Sequence, residues 1–380
     1  MKPAYPSQQR LIAAIIGLSL SASAFAEKYD VGVFNSGATA EPVTQEAPAY
    51  PQGLAKSGQE GWVRMHFVVT ADGHAIDPLI VDSSGGPAFE DEARKALAEW
   101  RFTPPESGDE DAHNLANIRS EVSGSRDSAT KSFRRGHERI VLDLVHERND
   151  EARIKMDELS ASGGFNTYES TMLWLMMGRV EGVENNDAGK LECYRRALAV
   201  STRSTLRVEN KLGLLEKLFE LEDQFGHYTN ALQAFRSLTA ASGKVEVNPE
   251  LAARAAEIQA LVDGDENIVA QAAIYNPCDC DAGTPLWYYK PARRTFSFAN
   301  LSGNVERFEA RCENRRVQGP VEVGTEWALA PEWGSCRVFV FGDDGATFEF
   351  VEHPAGAEDD APTAVAEDDV LDQRNRGQRG

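Results

Sequence analysis

The chain has 380 residues, a formal net charge of −21 and a sequence pI near 4.8. That length makes two or three domains the natural expectation, and 42% hydrophobic residues are ample for packed cores. The acidic balance argues against nucleic acid and anionic membrane surfaces as partners.

Lys2 and Arg10 make a weakly basic start, Leu11 to Leu20 is apolar, and Ala24-Phe25-Ala26 has the small-x-small form of a cleavage site before Glu27. Residues 1–26 are read as a secretory signal peptide. The competing reading is an uncleaved anchor, but the apolar run is about half the roughly 20 residues that span a bilayer. No other segment has the length and hydropathy to cross, so no membrane insertion is expected after cleavage. In the exported chain cysteines can pair.

Glu27 to Glu46 has no sustained period and reads as a linker with a short strand at Tyr29 to Phe34. The stretch from Ala47 to Pro105 is the best specified part of the chain. Pro51 opens a short helix that Gly58 can end. Gly61 to Thr70 alternates: Val63, Met65, Phe67 and Val69 face one way, and Trp62, Arg64, His66 and Val68 the other. A period of two marks a half-buried strand. Ala71-Asp72-Gly73 is a hairpin turn, and Ala75 to Ser83 returns as the second strand. Pro87 starts a helix with an acidic first turn (Glu90, Asp91, Glu92), which suits the positive end of its dipole. Phe89, Ala93, Ala96, Leu97 and Trp100 form its apolar face, which can pack on Val63, Met65, Phe67 and Val69.

The run Tyr50-Pro51, Gly61, Val63, Phe67, Asp72-Gly73, Val81, Ser83-Ser84-Gly85, Phe89, Ala93, Ala96-Leu97, Trp100, Phe102 and Pro104 resembles the C-terminal domain of TonB-family energy transducers. Order, spacing and residue type all match. The resemblance implies a helix–strand–strand–helix–strand module in the Gram-negative periplasm, without a catalytic group. It also implies a partner, an extended segment of an outer-membrane transporter, gripped by strand addition. The third strand of that module is expected within Asn114 to Ser123, completing a domain over residues 47–123. Its edge is where the family's partner strand pairs, which makes Ile118, Ser120 and Val122 the candidate partner-binding residues.

Residues 126–265 change to a helical period. Trp174, Met177-Gly178, Tyr194 and Ala197 are echoed by Leu215, Leu218-Phe219, Gly226, Tyr228, Ala231, Phe235 and Leu238. Trp174 to Tyr194 and Leu215 to Phe235 each span the internal spacing of a tetratricopeptide helix pair. The copies are offset by more than the usual ~34 residues, with the surplus near Ser201 to Arg207, which points to lengthened helices. Pro249 to Val262 reads as a capping helix. Large residues at these spacings are core first, although a concave repeat face can hold a peptide.

Residues 275–353 carry short β-rich runs: Trp287 to Tyr289, Arg294 to Asn300, Val305 to Cys312, Arg316 to Val323, Cys336 to Phe341 and Ala346 to Glu352. These predict a small all-β sandwich or barrel, with Val338–Phe341 and Thr347–Phe350 forming a hairpin around Asp343-Asp344-Gly345. Residues 354–380 read as an acidic disordered tail. The fold class is thus multidomain α+β: a small two-layer α/β module, an α-helical repeat segment and a C-terminal all-β domain.

Four cysteines, Cys278, Cys280, Cys312 and Cys336, lie in or beside the β-domain and read as two disulfides, with Cys312–Cys336 the best-placed pair. Cys278-Asp279-Cys280 also admits a soft-metal or redox reading. Cys193, inside a helix, is expected as a buried free thiol. The seven histidines are dispersed without zinc spacing, and there is no phosphate loop or nucleophile elbow. No cofactor, metal or catalysis is expected. Two functions follow: a non-enzymatic envelope protein that binds a protein partner by strand addition, in energy transduction or as a transport-associated scaffold, or a periplasmic thiol or metal protein using Cys278 and Cys280.

Overall fold

The computed structural model describes residues 29–35, 40–55, 59–83, 86–104, 112–122, 128–202, 204–243, 247–276, 284–313, 315–354 and 364–365. The signal segment and the Cys278-Asp279-Cys280 motif lie outside the described residues.

The N-terminal unit is one antiparallel sheet with a helix on one face. Its strands are β1 (Tyr29–Asn35), β3 (Gly61–Val69), β4 (Ala75–Ser83) and β6 (Ala112–Val122), in the order β1-β6-β3-β4. A two-stranded ribbon, β2 (Pro42–Thr44) with β5 (Arg101–Phe102), closes one end. The short α1 (Gln52–Ala55) precedes the hairpin, and α2 (Pro87–Glu99) follows it. At the β3–β4 turn Gly73 has φ +80°, and a Cβ there would meet the Phe102 carbonyl oxygen at 2.3 Å, so both conformation and space require glycine. The core joins Val63, Met65, Phe67 and Val69 to Phe89, Ala93, Leu97 and Trp100, the two stripes read from the sequence. Trp100 stands edge-on to Phe67 at 5.9 Å and donates its indole N–H to the Glu46 carbonyl at 2.8 Å.

The helical unit comprises α3 (Lys131–Val145), α4 (Asn149–Ser162), α5 (Thr167–Val183), α6 (Asp187–Val200), α7 (Val208–Gln224), α8 (Tyr228–Ser242) and α9 (Pro249–Asp263). Asn166 caps α5 with a reciprocal Glu169 contact. Gly178 on α5 lets the Tyr194 ring of α6 approach to where a Cβ would sit only 2.4 Å away. That contact explains the Gly178 and Tyr194 positions of the first copy. Residues 201–207, where the sequence placed the surplus, lie between α6, which ends at Val200, and α7, which begins at Val208.

The C-terminal unit is a sandwich. One sheet has the order β11 (Arg316–Pro320), β10 (Val305–Cys312), β13 (Cys336–Gly342), β8 (Leu286–Tyr289). The other has the order β15 (Ala364–Val365), β12 (Trp327–Ala328), β9 (Thr295–Ser302), β14 (Thr347–His353), β7 (Ile268–Ala273). Phe296, Phe298, Phe308 and Phe350 stack between the sheets. Two expectations are corrected here. β13 and β14 do not form a hairpin: β13 pairs with β10 and β8, while β14 pairs with β7 and β9. The Asp343–Gly345 turn carries the chain from one sheet to the other, because both strands have an apolar face to bury and the space between the sheets takes both. The sandwich also begins ahead of residue 275, with β7, and takes in Ala364–Val365 from the segment read as tail. Cys312 and Cys336 are register partners on β10 and β13 and are bonded. Cys193 is free and buried, and burial pushes its thiol up to about 12.

The sandwich covers the face of β3 that alternation left for solvent. His66 is buried with its ring 5.0 Å from Phe339, and Leu79 and Val81 pack with Leu286, Tyr288, Phe339 and Phe341. β3 is therefore buried on both faces rather than half-buried. Asp82, on β4, is carried into the junction with the repeats, where Arg196 Nε lies 3.7 Å from its carboxylate. Burial pushes the Asp82 carboxyl up to about 7 against the pull of Arg196, with Glu192 adding to the rise.

Two outcomes follow from this packing. Phe67→Ala and Trp100→Ala should each destabilise the N-terminal unit by about 3–5 kcal/mol, because each empties a buried ring site. Chemical denaturation followed by Trp fluorescence checks this, and a midpoint at the wild-type value would refute the packing. Asp82 titrates near 7 when folded and near ~3.9 when unfolded. Its contribution to stability is therefore complete below about pH 4 and is lost as pH rises through about 7. Asp82→Asn should flatten the dependence of the melting temperature on pH across that window, read by scanning calorimetry in a pH series.

Candidate functional site

A sheet takes up an extended partner at an edge, where N–H and C=O groups lack a ladder. The N-terminal sheet has two outer strands, β1 and β4.

The β4 edge is closed by its own sequence and by the sandwich. Asp77 sits at φ +48° and Pro78 has no N–H, so the ladder is broken at mid-strand. Arg311 donates from Nη1 to the Asp77 carbonyl oxygen at 3.1 Å, and Arg316 pairs with the Asp77 carboxylate. Both arginines also donate from Nε to Glu309 Oε1 at 2.6 Å. Burial alone would raise the Glu309 carboxyl, but Arg311 and Arg316 hold it below the usual carboxylate range. This network fixes the sandwich to the edge of β4.

The β6 edge differs from expectation. The strand forms where the sequence reading placed it, but it is interior to the sheet. On one side it pairs with β3, from Gly61↔Ser120 to Val69↔Ala112. On the other it pairs with β1, from Tyr29↔Val122 to Asn35↔Ala116. Tyr29 to Phe34, read as a short strand in a linker, thus occupies the edge assigned to a partner. Ile118, Ser120 and Val122 share this strand, but not as an open contact row. Ile118 is a core residue with Ala116, and the Ser120 side chain is buried as well, on the same alternating face. Ile118 and Ser120 could serve an added strand only through their backbones, and β1 pairs with them and with Val122. Ala112 to Leu115 extend beyond the last β1 pair and have no neighbour on that side among the described residues.

A second concave feature lies where the three units meet, a cavity of about 600 Å³ lined by Arg64, Arg195, Glu222, Tyr288 and Arg337 with Leu215 and Leu218. Arg195 donates to both Glu222 oxygens, at 2.8 and 2.5 Å, and His227 Nδ1 lies 2.9 Å from Glu222. Burial opposes that charge, but Arg195 and His227 bring the Glu222 carboxyl down to about 2. The strand β7 meets the end of α7, its Gln271 N–H donating to the Phe225 carbonyl at 2.9 Å.

These features are hard to see in sequence. The pairing of β1 with β6 carries only the signal of a short apolar alternation at Val31 and Val33. The closure of β4 was legible in Pro78, which marks an edge strand.

Residues 46–119 match the sequence family described as the Gram-negative bacterial TonB protein C-terminal. Protein TonB of Pseudomonas aeruginosa is 37% identical over 68 residues, 18% of this chain and 20% of that protein. Protein TonB of Vibrio cholerae is 30% identical over 79 residues, 18% of this chain and 32% of that protein. A solution NMR structure of the Pseudomonas aeruginosa TonB CTD is 30% identical, covering 22% of this chain and 84% of that one, with a TM-score of 0.18. The matched part thus spans a third or less of the two full-length relatives. The N-terminal sheet-and-helix unit of this chain carries a TonB C-terminal domain, followed by units that these matches do not cover.

Proposed function

We propose that this chain is a non-enzymatic protein of the Gram-negative cell envelope, associated with transport across the outer membrane, whose N-terminal unit binds an extended protein segment by strand addition. The observation that carries the reading is the family match over residues 46–119, which includes β3, β4, α2 and most of β6. The pairing of β1 with β6 supports it, because it displays that edge accepting an antiparallel strand from outside the matched segment. The matches favour this reading over thiol or metal chemistry at Cys278 and Cys280. The partner we propose is the periplasm-facing segment of an outer-membrane transporter, held chiefly by main-chain hydrogen bonds. The repeats and the sandwich grip the back of the module, so a load on β6 would be passed to the rest of the chain. That arrangement suits energy transduction or a transport-associated scaffold.

The test is a photo-crosslinking amino acid at Leu115, beside the end of β1, in the full chain expressed in a Gram-negative envelope. Crosslinked peptides should map to periplasmic segments of outer-membrane transporters. Crosslinks confined to soluble periplasmic proteins would overturn the reading.

A further inference from the structure

We infer that Tyr29–Asn35 is a built-in stand-in for the partner strand, and that an extended segment binds this protein by displacing β1 from β6. The inference rests on the strand-addition reading above and specifies how that site is controlled.

Three observations carry it. First, β1 lies outside the segment that builds the rest of the sheet. β6, β3 and β4 come from residues 61–122, and β1 reaches β6 from upstream of residue 40. β6, β3, β4 and α2 share one core cluster, which also takes in Ala40 and Phe102. Second, the opposite edge cannot substitute. Asp77 and Pro78 interrupt the β4 ladder, and Arg311 and Arg316 hold the sandwich against it. Strand uptake by this sheet is therefore directed to the β6 side. Third, among the described residues β1 covers β6 incompletely. It ends at Asn35 opposite Ala116, and Ala112 to Leu115 continue past it.

That last feature supplies a route. A partner can first pair with Ala112 to Leu115 and then replace β1 residue by residue towards Val122, so the edge is never left bare. The competing strand is tethered close by, because Ala40 is buried in the core only a few residues beyond Asn35. Tethering gives β1 a high effective concentration, on the order of millimolar for a short linker. A free segment must exceed that, which screens out casual β-edge association. Gly32 in mid-strand lowers the hold of β1, since glycine loses more backbone freedom than other residues on being ordered. The partner that fits is an extended, antiparallel-pairing segment long enough to cover the eleven residues of β6. β1 itself covers seven.

The experiment uses the full chain and a fluorescein-labelled peptide with the Glu27–Asn35 sequence. In the double variant Gly32→Pro, Val33→Pro, adjacent prolines remove β1 donors whichever face they take, and the peptide should bind at least tenfold more tightly than to wild type by fluorescence anisotropy. The same peptide carrying both prolines should bind neither protein. Circular dichroism confirms that the variant is folded. As a readout on the unaltered chain, millimolar wild-type peptide should make the amides of residues 29–35 exchange with deuterium while those of Ala116–Val122 stay protected. Equal peptide affinity for wild type and variant, peptide binding with β1 still protected, or no binding to either protein would overturn the inference. If the opened variant takes the β1 peptide but no transporter-derived segment, displacement stands and the transport reading fails. If transporter segments crosslink equally to wild type and variant, strand addition stands and displacement fails.

Discussion

β3 has no solvent face, and the arrangement of the three units depends on that. Its one side meets α2 through Phe67 and Met65, and its other side meets the sandwich through His66, all three nearly inaccessible. Its edges are taken by β6 and β4. A strand enclosed on four sides cannot shift register without moving every side chain to the wrong face. The rest of the sheet is then a question of its outer strands. β4 is fixed by the sandwich, whereas β1 is held by its ladder to β6. The two edges of one sheet are thus occupied in different ways.

The contacts between units are chosen for orientation as much as for adhesion. The apolar patch of Val81, Leu286, Phe339 and Phe341 supplies area. Around it sit buried charges: Glu309 with Arg311 and Arg316, Glu222 with Arg195 and His227, and Asp82 beside Arg196. Glu60 reaches from the sheet unit to cap α5, accepting from the Thr167 N–H at 2.8 Å. Buried pairs return little net stability, because desolvation offsets attraction, but they penalise every misaligned arrangement. In a chain of net charge −21, arginine at each junction also offsets repulsion between acidic units.

Much of the site's scaffold was legible from residues alone. The alternation of Val63, Met65, Phe67 and Val69, the Asp72-Gly73 turn and the α2 stripe from Phe89 to Trp100 are local patterns, and each has one conformation that satisfies it. The Cys312–Cys336 bridge was equally readable, because strand-like flanks restrict what its thiols can meet. The order of strands was not. Val338–Phe341 and Thr347–Phe350 flank a good turn and still part into different sheets, because a turn sets the direction of the chain and says nothing of which ladder is free.

The same distinction governs the candidate site. By itself the sequence determined which residues form β6 and which family its module matches, since those rest on residue types and short-range spacing. Only the tertiary structure decided that Ile118 faces a core, that the second face of β3 is dry, and that Tyr29–Asn35 lies along β6. A period of two tells which side chains share a face of a strand. Whether that face meets water, and whether an edge meets a neighbour, depends on segments arriving from far along the chain, whose pairing is set by backbone groups that every residue but proline carries alike.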